Sequence, residues 1–105
     1  MFVVTKTLYI EKEHTHNFIN RFQVQSPLFS FKGFIKREIL INRKNKDHDI
    51  ILIKVHFGEI TDYYRWEGSK EHIMMHKQQK NSPIGLLRME KQNYELLTED
   101  TYEAL

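Results

Sequence analysis

Trp66, Ser69, His72, Ile73 and His76 fall close together in a stretch that holds the only Trp of the chain and two of its six His. An indole offers a broad apolar face. A neutral imidazole binds metal ions through a ring nitrogen. His72 and His76 stand at i, i+4, on one face of a helix, a spacing that can hold zinc, copper or nickel. Glu71 precedes His72, so the zincin order His-Glu-x-x-His is absent. His14, His16 and Glu59 exist as further donors but at no defined spacing. On composition alone, a lone Trp belongs to a core and a helical His to a surface. Lys6 is a second feature of chemical interest, because it interrupts an apolar alternation and a buried ammonium is costly. The chain has no Cys, which excludes a disulfide framework, a zinc knuckle and thiolate chemistry. It has no serine elbow and no paired carboxylates on an apolar helix face, so nucleophilic catalysis finds no support.

The elements that must carry these residues can be read from periodicity. Ile60, Tyr63 and Tyr64 at i, i+3, i+4 predict a helix with one buried stripe. Gly68 reads as its left-handed end. Ser69 then caps a second helix, with Glu71 in its first turn and Ile73 and His76 on one face. Upstream, Phe2 to Ile10 alternates as a strand, with Phe2, Val4, Lys6, Leu8 and Ile10 on one side and Val3, Thr5, Thr7 and Tyr9 on the other. Thr15 is expected to cap a helix to about Val24, with Phe18, Ile19 and Phe22 inward. Gly33 opens a second strand, Phe34 to Ile41. Asn42 to Asp49 reads as a solvated hairpin loop with His48 exposed, despite its basic residues. Ile50 to Phe57 reads as a central strand in which His56 satisfies a local hydrogen bond. Asn81-Ser82-Pro83 breaks the second helix, Gly85 keeps the loop flexible, Met89 to Leu97 forms a fourth strand, and Thr98 to Leu105 is an acidic tail. The order is βαββαβ, an α+β ferredoxin-like fold with an antiparallel sheet and helices on one face.

The 105 residues make one domain, 1–105, with a small core. A formal charge of +2, from 16 basic and 14 acidic residues, is too balanced for a nucleic-acid binder. No signal peptide and no apolar run near the roughly 20 residues of a membrane span appear, so a cytoplasmic protein with no membrane partner is expected. The sheet face without helices carries apolar residues, and covering it with a second copy gives a homodimer.

Trp66-x-x-Ser69-x-x-x-Ile73-x-x-His76 resembles the heme-degrading monooxygenases of the antibiotic biosynthesis monooxygenase superfamily, with Ile73 in place of their Phe. The opening Met1-Phe2-Val3-Val4-Thr5, the Arg21-Phe22 pair and the Gly33-Phe34 pair are similar to that family as well, so the resemblance spans most of the chain. It implies a dimeric α+β barrel with one pocket per subunit. It implies heme as both cofactor and substrate, dioxygen, and an external electron donor such as a reductase. By the same resemblance His76 is the proximal ligand of heme iron, Trp66 presses on the porphyrin, and Phe22, Arg21 and Ile73 line the binding site. The family's strand Asn, a donor on the oxygen side, falls at Lys6. An ammonium there can replace that donor, pair with a propionate, or block the chemistry. Two other readings stand beside this one: a cofactor-free monooxygenase of small aromatic substrates, and a non-catalytic dimeric ligand-binding protein of the same fold.

Overall fold

The structure is a computed structural model that describes residues 1–78 and 83–104. Its main elements are β1 (Phe2–Glu11), α1 (Thr15–Phe22), β2 (Phe34–Asn42), β3 (His48–Phe57), α2 (Ile60–Glu67), α3 (Lys70–Gln78) and β4 (Leu86–Glu95). The strands form one sheet in the order β2-β3-β1-β4, with every neighbouring pair antiparallel. This is the expected ferredoxin-like α+β arrangement. The expected break at Asn81-Ser82 lies outside the described residues.

The alternation of β1 explains how the sheet is covered. Phe2, Val4, Leu8 and Ile10 are buried on the helix side, but in two separate clusters. Phe2 and Val4 pack with Leu28, Phe57, Tyr63 and Trp66. Leu8 and Ile10 pack with Phe18 and Ile51. Burying a side chain of this size contributes roughly 1.5–3 kcal/mol. Lys6 stands on the same face between the clusters, opposite Ile53 on β3 and Lys91 on β4.

Several local expectations change. Thr15 does not cap α1; the N-cap is His14, with no side-chain cap bond. The Thr15 hydroxyl instead donates to Asp49 Oδ2 at 2.8 Å, and Lys12 Nζ donates to Asp49 Oδ1 at 2.6 Å. Asp49 is buried and belongs to β3, as does half-buried His48, so neither lies in the solvated hairpin. The hydrogen bond from Lys12, seconded by Thr15, holds the Asp49 carboxyl below its ordinary value. α1 stops at Phe22 rather than Val24, and β4 begins at Leu86 and ends at Glu95. Gly85 takes a φ of +92°, and its carbonyl accepts from Glu11 N–H at 2.9 Å.

The open sheet face is divided. Leu40, Leu52, Ile50 and Tyr9 lie toward one end. Toward the other, Glu38 meets Lys36, Lys54 and His56. His56 is buried, and its Nε2 lies 2.8 Å from Glu38 Oε1, the local partner expected for it. That bond holds the Glu38 carboxyl below its usual range.

Candidate functional site

The joint between α2 and α3 fixes the Trp and the two His. The buried residues of α2 are Tyr63 and Trp66, one turn apart. Ile60 and Tyr64, expected inward, are 38% and 59% exposed, because the helix turns its Tyr63–Trp66 edge to the sheet. Gly68 closes α2 at φ −86°, ψ −1°, so the left-handed end is absent and Gly68 N–H bonds Tyr64 O at 3.1 Å. Ser69 caps α3 as expected: its Oγ accepts from His72 N–H at 3.2 Å. The same hydroxyl donates to Trp66 O at 2.7 Å, which ties the cap to the end of α2.

Trp66 packs edge to face on Phe31, with centroids 5.2 Å apart, and Met75 closes on the same cluster. A second ring against it is His72, at 5.3 Å between ring centroids. His72 Nδ1 lies 3.1 Å from Glu67 O, so it carries the proton and donates to that carbonyl. The Nε2 of a neutral His72 is therefore an acceptor, and His76 Nε2 lies 2.9 Å from it. His76 donates in that bond, and its ring is exposed.

A polar group that the sequence did not reveal adjoins the imidazoles. Lys91 Nζ lies 3.5 Å from Glu67 Oε2 and 5.3 Å from the centre of the Tyr63 ring. Burial pulls the Lys6 pKa down, Lys91 pulls it further, and Glu67 opposes both. Among the described residues the Lys6 ammonium makes no ion pair and no hydrogen bond. Loss of water also lowers the His76 pKa, helped by His72, Lys6 and Lys91, so its imidazole is neutral at pH 7. For Lys91 burial works downward but is outweighed by Tyr63 and Glu67, which raise its pKa. Burial raises the pKa of Tyr63. The cross-strand position of Lys91 is set by the β1–β4 register, which composition does not give.

Lys6, Trp66 and His76 thus come into one region, with Ile73 beside them on α3 and 45% exposed. Phe22 and Arg21 stand apart on α1. Phe22 packs against the second cluster and lines an apolar cleft of about 300 Å³ with Ile19, Ile39, Leu40 and Ile41. The Arg21 guanidinium lies 5.6 Å over the Phe18 ring. Arg37 is nearer to this cleft than any sequence signal indicated, donating to Phe22 O at 2.6 Å.

No family model matches the chain. Heme-degrading monooxygenases of Bacillus thuringiensis (strain Al Hakam) and Bacillus mycoides (strain KBAB4) are each 28% identical to it over 87 residues, 83% of this chain and 81% of theirs. A putative antibiotic biosynthesis monooxygenase from Bacillus cereus superposes with a TM-score of 0.83 at 18% identity, over 96% of this chain and 97% of its own. The heme degrader MhuD of Mycobacterium tuberculosis, solved with two hemes in its active site, gives 0.74 at 13% identity, over 96% and 100%. The expected resemblance and the expected fold are both borne out.

Proposed function

We propose, from the premise that this chain is similar over most of its length to heme-degrading monooxygenases and has the fold of the antibiotic biosynthesis monooxygenases, that it is a monooxygenase with heme as its substrate. The observation that carries the reading is the α2–α3 joint, which locks Trp66 into the core and leaves the neutral, exposed imidazole of His76 one helix away. The donor chemistry fits a heme. A neutral imidazole suits iron, Trp66 and Met75 give an apolar wall, and the ammonium groups of Lys6 and Lys91 complement propionate carboxylates. Bound heme supplies the iron that activates dioxygen, with electrons from an external donor such as a reductase.

In this reading His76 would hold the iron through Nε2, with its hydrogen on Nδ1 and its bond to His72 lost, and Ser69 would keep Trp66 and α3 in register. Ile73 offers apolar contact from the same helix, while Phe22 and Arg21 lie apart on α1 and take no part in holding the heme in this reading. A homodimer and a cytoplasmic setting belong to the same proposal. Lys6 in place of the family's strand Asn favours a second reading, a dimer that binds heme without turnover. The remaining alternative is a cofactor-free oxygenase of small aromatic substrates.

Hemin titration followed by ascorbate and oxygen, with catalase present, separates the three. A degrader forms a Soret band, loses it on reduction and releases iron. A binder keeps a stable band. A cofactor-free oxygenase binds hemin weakly and consumes oxygen only with an aromatic substrate. His76→Ala is expected to lower hemin affinity at least tenfold, and an unchanged spectrum and affinity in that variant would remove His76 as the ligand.

A further inference from the structure

We propose that His72 and His76 form a divalent copper site on α3, a two-imidazole chelate whose occupation excludes heme from His76. The two Nε2 atoms already converge to 2.9 Å, with the rings edge to face and their centroids 4.4 Å apart. Metal–nitrogen bonds of about 2.0–2.1 Å meeting at a right angle hold two nitrogens about 2.9 Å apart. A tetrahedral ion needs about 3.4 Å at the same bond lengths; the present 2.9 Å is the length of the hydrogen bond between the rings, and a small ring rotation reaches either spacing.

The surroundings support the chelate. His72 Nδ1 donates to the Glu67 carbonyl, the kind of outer bond that orients a metal-binding imidazole and leaves Nε2 free to coordinate. The hydrogen shared by the two Nε2 atoms moves to His76 Nδ1 when the ion enters, so the ring changes tautomer and no covalent bond to carbon is made or broken. His76 is exposed, which leaves the remaining positions of the ion to water. The ammonium groups of Lys6 and Lys91 act against a cation near His76, and Glu67 acts for it. These charges act alike on every divalent ion, and copper is chosen because it has the highest intrinsic affinity for imidazole among the first-row divalent metals. Among the described residues Glu11, Glu13 and His14 form another cluster of donor atoms, a competing site.

The copper site does not depend on the heme reading, but the exclusion does. Metal-free protein is titrated with CuSO₄ by calorimetry and by its visible d–d band. One ion per chain is expected, with affinity at least tenfold lower in both His72→Ala and His76→Ala and unchanged in His14→Ala. Wild-type affinity in the His72 and His76 variants, or loss of binding in His14→Ala, would overturn the site. Hemin is then titrated into copper-loaded and metal-free protein. Weaker hemin binding by the loaded form is expected, and equal binding would overturn the exclusion. Failure of hemin to bind the metal-free protein would instead count against the heme reading and leave the copper result standing.

Discussion

Lys6 occupies the place where an apolar side chain would join the two clusters on the helix side of the sheet. Burial and the facing Lys91 both favour its neutral form, so its folded pKa lies below that of the unfolded chain. Between those two values the unfolded state binds more protons, and stability rises with pH. Below the folded pKa the full cost of the ammonium is present. Lys6→Met is therefore expected to stabilise the protein at pH 7 by about 1 kcal/mol in urea unfolding. The gain should shrink as pH rises through the folded pKa toward the unfolded value near 10.4. An equal gain at both ends of that range would show a solvated ammonium. The alternation Phe2, Val4, Leu8, Ile10 was enough to put Lys6 on the covered face. It could not reveal Lys91, because the partner across a strand pair depends on register. His72 was legible as a neighbour of His76 from i, i+4 spacing, but its tautomer depends on the Glu67 carbonyl, a backbone atom that no residue type announces.

At the scale of elements, the entry to β2 and the start of α2 are built against each other. Gly33 has φ +99°, and its carbonyl accepts from Gly58 N–H at 2.9 Å. A Cβ at Gly33 would run into the side chain of Asp62. Asp62 is already committed, since its Oδ2 accepts from Glu59 N–H at 2.9 Å at the N-terminus of α2. Gly33→Ala is expected to cost about 2–3 kcal/mol, of which about 1 is backbone strain that Asp62→Ala cannot relieve. Gly68→Ala is the control. Its φ is ordinary and the nearest atom to an added Cβ is Tyr64 O at 3.6 Å, so it should be neutral or stabilising by about 0.4–1 kcal/mol. Thermal unfolding of the two variants and of the Gly33/Asp62 pair measures these effects, and equal losses at the two glycines would overturn the argument. The Ser69 cap was readable because its partner lies three residues on. The role of Thr15 was not, because the group that takes its hydroxyl is Asp49, on another strand.

For the whole molecule, the strand and helix order was readable from hydrophobic period alone, apart from shifted ends such as those of β4, whose sequence is mostly polar. Leu40, Leu52, Ile50 and Tyr9 leave one end of the open sheet face apolar, while Lys36, Glu38 and Lys54 set a charged rim. A second copy laid across this face covers the apolar end. Light scattering is expected to give twice the chain mass of 12.8 kDa, and Leu52→Lys to give the single mass. A wild-type monomer would overturn the expectation. The divided core has its own result. Two lobes share one sheet, with Lys6 between them on β1, so the Trp66 lobe can loosen while the Phe18 lobe holds the strands. Amide protons of α2 and α3 then exchange with solvent through partial openings that cost less than global unfolding. A flat apolar guest seated at Lys6 would bridge the lobes, and a chain that breathes in two halves would melt as one.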